Sequence, residues 1–240
     1  MELKDVLGER GEAAFRDTIR CVHPLIHAAR SKNSLHAELV LNSCVIACNV
    51  AQEIGSIKYP PVAYGLCRCV LEIAAGADHL ARNPEKVERF LQFGKWQQCE
   101  MTKPFDESLS PPLPDHLEIG NSFKREMKNS RGYPTWHGLT QTGLISDMVA
   151  DGRKLFGNTS AFVHGDALIS MAAMAYSPKH GWQAQLFIPM PLDYRVPVQV
   201  AISICADLLF AVNEILQLGC DDVMRRLDEN KRVLGLANEL

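Results

Sequence analysis

The stretch "LVLNSCVIACNVA", residues 39–51, constrains the fold most. It is apolar on nearly all sides of a helix, so it must be covered by other helices rather than lie on a surface. The helix that contains it is predicted from Asn33 to Ile54, with Asn33 or Ser34 as N-cap and Gly55 at its end. A second run of this kind, "VPVQVAISICADLLFAVNEIL", is broken by Asp207 and Glu214. It is expected to be a buried core helix, not a membrane span, which needs ~18 apolar residues free of charge.

Further helices are expected around these two. One covers about residues 9–31, kinked at Pro24. Two come from "YPPVAYGLCRCVLEIAAGADHLARNPEKVERFLQF": 60–82, with Pro60 and Pro61 in its first turn, and 83–100, with Asn83 as cap and Pro84 next. Residues 101–114 carry four prolines and read as loop. A short helix at roughly 115–129 and a second loop, "NSRGYPTWHGL", follow. Residues 140–174 form one long helix or two, broken near Gly157 and Asn158 with Thr159 or Ser160 capping afresh. A short hairpin or extended arm is expected near 180–190. Helices at 194–218 and 221–236 close the chain, with Gly219 ending the first and Asp221 capping the second.

The fold class is therefore all-α: a bundle of about seven to nine helices around one core. With 240 residues, the chain reads as a single helical domain, 1–240. Residues 1–32 are its N-terminal helix, 33–218 the core bundle and 220–240 the C-terminal helix.

Net charge is -3 and no basic run occurs, so the usual electrostatic footprint of a nucleic-acid binder is missing from the totals. Eight cysteines sit mostly in apolar runs and form no C-x-x-C pair. They read as reduced, buried thiols, which places the chain in the cytoplasm, and "MELKDVLGER" lacks the apolar core of a signal peptide. No membrane is expected as a partner.

Two stretches carry candidate chemistry. On the 60–82 helix, Tyr64, Arg68, Glu72 and His79 share a stripe, opposite Leu66, Val70, Ile73, Ala77 and Leu80. A solvated Arg/Glu pair accounts for such a stripe, and so does a site. In "TSAFVHGDALIS", Ser160, His164, Ala167 and Met171 share a face, which aims His164 inward. A buried imidazole needs a partner, and Glu72 or Asp207 are the carboxylates at hand. "SRGYPTWHGL" adds Arg131, Trp136 and His137 on a loop able to stack and bind. His23 and His27 in "HPLIH" have ligand spacing without the glutamate of the zinc-protease helix, so no metal site is expected. No phosphate loop, dinucleotide fingerprint or nucleophile elbow is present, and no cofactor is expected.

At "RCVLE" (Arg68 to Glu72), "WHG" (Trp136 to Gly138) and "SAFVHG" (Ser160 to Gly165), the chain resembles a largely bacterial, all-helical family known only as a domain of unknown function. The likeness covers about residues 35–215. That family is in turn distantly similar to the HEPN domains, many of them ribonucleases of toxin and phage-defence systems that act as homodimers. The resemblance implies metal-independent RNA cleavage, with Arg68 on the phosphate, His164 as acid/base and Glu72 orienting it. Ser160, Tyr64, Trp136 and His137 would then bind. The HEPN signature places an arginine four to six residues before its histidine. Here the nearest arginine before His164 is Arg153, with ten residues between. The other reading of the same residues is a non-catalytic helical module. It binds a small molecule or a protein and uses Arg68, Glu72 and His164 as a structural network. Whether the chain is an enzyme is left open between the two.

Overall fold

The computed structural model describes residues 3–57, 60–102, 135–149, 152–163, 174–177, 181–184 and 194–236. It is an all-α bundle. Helices α1 (Leu3–Arg20), α2 (Val22–Ser31), α3 (Leu35–Ile54) and α4 (Pro60–Arg82) lead to a 3-10 turn, Pro84–Lys86. Then come α5 (Val87–Thr102), α6 (Gln141–Met148), α7 (Gly152–Val163), α8 (Arg195–Ile215) and α9 (Asp221–Val233). One antiparallel hairpin interrupts them, β1 (Met174–Ser177) paired with β2 (Gly181–Ala184), earlier than the 180–190 expected. Of the loop expected at 101–114, Met101 and Thr102 instead continue α5, since the first proline comes only at 104. The rest of it, the helix expected at 115–129 and Arg131 lie outside the described residues.

Three helices make the centre: α3, α4 and α8 pack against one another. Their contact faces are small, with Ala37, Cys44, Ala47, Cys48 and Ala51 on α3, Ala63, Cys67 and Ala74 on α4, and Ala201 and Cys205 on α8, all buried. Small side chains let helix axes approach closely. The run read as covered on nearly all sides is buried only on its inner faces. Asn42, Ile46 and Asn49 form an exposed stripe along α3, because those positions fall on the side that no described helix packs against. Burial raises the thiol pKa of Cys21 to about 11 and of Cys67 to about 12, so these thiols stay protonated. The hydroxyl of Tyr194, itself buried, donates to the Ile54 carbonyl and ties the start of α8 to the end of α3.

By length and composition, α8 is the one helix among the described residues able to cross a membrane. Its Val198, Ile202, Leu209 and Val212 are buried in the bundle. On one side α1, α2 and α9 cover the central helices. Asp17 of α1 pairs with Arg226 of α9 and accepts from Asn230 at 3.0 Å. On the other side α6 and α7 pack on α4.

Several boundaries depart from the sequence reading. The N-terminal helix begins at Leu3, bends at Gly8 (φ 71°) and breaks at Cys21. The break puts Pro24 in the first turn of α2, where its missing N–H costs nothing. Ser34, not Asn33, caps α3, its hydroxyl accepting from the Ala37 N–H. Asn83 holds the N-cap position of the 3-10 turn that leads into α5, with Pro84 next as expected, but its side chain makes no capping bond: it donates to the His79 carbonyl at 2.7 Å and so closes α4. The break after residue 140 falls before Gly152, not at Gly157. A Cβ on Gly152 would lie 2.6 Å from the Ile145 carbonyl oxygen, so glycine is required where α7 turns onto α6. Gly157 continues the helix, and Thr159 donates back to the Leu155 carbonyl instead of capping. Asp221 is likewise not the cap of α9; Cys220 holds that position, and Asp221 and Asp222 stand in the first turn. Gly219, at φ 69°, follows the end of α8 as expected.

Candidate functional site

The stripe of α4 is not a solvated face. Arg68 Nε donates to Glu72 Oε1 at 2.8 Å, and the two side chains are only 16% and 33% exposed. The Arg68 guanidinium lies 4.6 Å from the centroid of the Phe156 ring on α7. One turn earlier Tyr64 is half-buried and also engaged. The stripe is covered because α7 packs on it and hands the guanidinium an aromatic face, which attracts a cation through the ring quadrupole.

Further along the same stripe, residues 135–140 fold over His79. Trp136 and His137 are buried there, each 7% exposed. The Trp136 ring meets Phe90 edge-on at 5.0 Å, His79 at 5.6 Å and His137 at 5.2 Å. Gly76 of α4 faces the indole: a Cβ at that position would stand 3.8 Å from it, an ordinary contact. The turn is held by its own bonds. Thr135 Oγ1 accepts from Gly138 N–H at 3.0 Å, and His137 Nδ1 accepts from Leu139 N–H at 3.1 Å. Lys86 anchors the turn from outside, its Nζ 2.8 Å from His79 Nε2 and donating to the His137 carbonyl at 3.2 Å.

These contacts set the charge of both imidazoles. Burial, then the nearby His79, Lys86 and Arg89, bring His137 down to about 4. Burial, then Lys86, lower His79, against the opposing pull of Asp147, Asp78 and Glu85. His137 is therefore neutral at pH 7. Because Nδ1 accepts a hydrogen bond, its proton sits on Nε2.

Between α4, α5, the 135–140 turn and α6 lies a cavity of about 530 Å³, floored by Ser43 and Ile46 of α3. Glu72, Trp136 and His137 all line it, together with Phe90, Phe93 and Gly94 of α5 and Gln141 of α6. Thus three residues expected from the sequence share one cavity, and Arg68 is joined to it through Glu72. His164 lies outside the described residues, as does the side chain of Ser160, although Ser160 belongs to α7.

Asp207 does not serve as a buried partner. It is 59% exposed and pairs with Lys231 of α9 at 2.8 Å. The buried carboxylate is instead Asp78, held bidentately by Arg82 at 2.9 and 3.0 Å. Sequence reasoning missed Lys86, Phe90 and Phe93. The two phenylalanines were signalled only as apolar residues of α5, which does not say what they face, and nothing local marked Lys86 in the turn before it. His23 and His27 are exposed, and among the described residues no group of three or more His, Cys, Asp or Glu is placed to hold a metal ion.

No family model, curated protein or solved structure matches this chain.

Proposed function

We propose that this chain is a non-catalytic binding module that takes a small, flat, largely uncharged molecule into the cavity beside α4. One observation carries the reading: Glu72, Trp136 and His137 line a single cavity with Phe90 and Phe93. Its volume falls in the range of small-molecule sites, about 300–1,000 Å³, and its make-up is that of such sites, mostly apolar and aromatic with a few polar groups. The charges at the site support it too. Arg68 is already shared between Glu72 and Phe156, and burial lowers the pKa of both imidazoles, so among the described residues the cavity lining presents no cation to a phosphate.

The test is to fill the cavity. Gly94 lies on its wall in the middle of α5, and a Cβ there meets nothing within 4 Å. Flat aromatic fragments, screened by ligand-observed NMR, are expected to bind wild type and Gly94→Ala but not Gly94→Leu. Equal binding to all three would remove this cavity from the argument.

A second reading keeps the RNA-directed, HEPN-like effector. The contact between Phe156 and Arg68 favours it, because α7, which carries Ser160, packs against the helix of the R-x-x-x-E pair. On that reading Arg68 and His164 act on the phosphodiester, in a homodimer and without metal. Incubation with mixed RNA in EDTA, beside Arg68→Ala and His164→Ala, decides it: cleavage lost in both variants supports it, and cleavage equal in all three removes these residues.

A further inference from the structure

Resting on the binding-module reading, we propose that the cavity selects a flat heterocycle with a neutral carbonyl-type acceptor, anchored by the Nε2–H of His137.

The Leu139 N–H occupies Nδ1 of His137 at 3.1 Å, so the ring can only be neutral with its proton on Nε2. That N–H belongs to a side chain more than nine-tenths buried and lining the cavity. Among the described residues no side chain or carbonyl accepts from it. Although the residue is buried, Nε2 itself keeps access to the space of the cavity, so its N–H is met there by water or by a ligand. The ring is also held in place: Lys86 bonds the His137 carbonyl, and Trp136 packs against the imidazole at 87°. The donor is therefore preorganised, which reduces the ordering cost of binding.

The rest of the lining narrows the class. Phe90, Phe93 and Trp136 supply flat apolar faces. Glu72 lines the same cavity and repels an anion, so a carboxylate or phosphate is a poor occupant, whereas a carbonyl oxygen accepts from an imidazole N–H without bringing charge. The amide of Gln141 can serve the remaining polar edge of a lactam.

Two probes of equal shape test this: 2-quinolone, a flat lactam, and naphthalene, its all-carbon counterpart. Their affinities are measured by NMR titration on wild type, His137→Asn and His137→Gln. Asparagine places its amide near the former Nδ1, where its oxygen can still take the Leu139 N–H, but leaves no donor at the Nε2 position. Glutamine reaches the Nε2 position and restores the donor. The quinolone-to-naphthalene affinity ratio is expected to fall about tenfold in His137→Asn and to recover in part in His137→Gln. In wild type, imidazole ¹⁵N shifts should mark Nε2 as the protonated nitrogen and move at Nε2 when quinolone is added. An unchanged ratio in His137→Asn, or a proton on Nδ1, overturns the inference while naphthalene binding still upholds the cavity. Failure of both probes to bind wild type overturns the inference and the binding-module reading together.

Discussion

Arg68 and Phe156 lock two helices together: the guanidinium of α4 lies 4.6 Å from the ring centroid on α7, while its Nε holds Glu72. The pair is largely screened from water, which places its attraction above that of an exposed contact. Coupling between Arg68→Met and Phe156→Leu in a double-mutant cycle of urea unfolding is therefore expected at about 1–2 kcal/mol. Arg68→Met alone should cost about 1–2 kcal/mol, because Glu72 loses its partner, and adding Glu72→Gln should return part of it. Strict additivity of the Arg68 and Phe156 variants would show that the stacking contributes nothing to stability.

The stability of the 135–140 turn should depend on pH in a definite direction. His137 titrates near 4 in the folded chain against 6.5 for a free imidazole. Between those values the unfolded chain binds the extra proton, so its uptake favours unfolding. The contribution is full above pH 6.5 and is lost as pH falls toward 4, amounting to about 2–3 kcal/mol. His79 is shifted the same way by burial and Lys86 and adds to the slope. Urea unfolding at pH 7, 6, 5 and 4.5 checks this against His137→Asn, which should show a shallower decline. Parallel profiles for the two proteins would contradict the buried, neutral imidazole.

How much of this was legible in the sequence differs by element. The run at residues 39–51 announced a central helix because no charge interrupts it, and its polar residues Asn42 and Asn49 mark the stripe of α3 left exposed. The 60–82 helix was harder. Its alanines and cysteines, such as Ala63, Cys67 and Ala74, hardly register as apolar, yet they are buried between α3 and α8. So it read as one-sided, with the Arg68 stripe open to either water or a site, and only the packing of α7 and the Trp136 turn shows that the stripe is covered. The helix break was misplaced for a related reason. Gly152 and Gly157 look alike in sequence, and only the packing on the Ile145 carbonyl makes the first one necessary. Trp136 and His137 stood out as an aromatic and an imidazole on a loop. Their partners Lys86 and Phe90 come from about fifty residues earlier, and no local pattern joins them.

The cavity wall at Gly76 offers a stability test independent of any ligand. A methyl group there would reach the Trp136 indole at 3.8 Å, an ordinary contact, and alanine is the better helix former. Gly76→Ala is expected to stabilise by about 0.5–1 kcal/mol. Gly76→Leu should displace Trp136 and destabilise, seen as a change in tryptophan fluorescence together with a lower Tm. A neutral Gly76→Leu would mean the indole does not pack on α4.

Thiol accessibility tests the packing of the three central helices. Cys44, Cys48 and Cys205 are fully buried where α3 and α8 meet, and burial raises the pKa of Cys44 far above that of a free thiol. Cys205 is raised chiefly by its hydrogen bond with Cys48 and then by burial. Cys69 alone among the cysteines described on α3, α4 and α8 is exposed. Alkylation depends on both access and thiolate. Burial and the nearby Glu72 raise the Cys69 pKa, but it alone of these thiols is accessible, so native protein treated with N-ethylmaleimide should label Cys69 first. The three buried thiols should label only at the rate of global unfolding, because no smaller motion frees a residue shared by two central helices. Peptide mass spectrometry over a time course in increasing urea reads this directly. The buried thiols should become reactive together, at the unfolding midpoint seen by circular dichroism. Labelling of Cys48 and Cys205 well below that midpoint would show that α3 and α8 separate before the rest of the bundle opens.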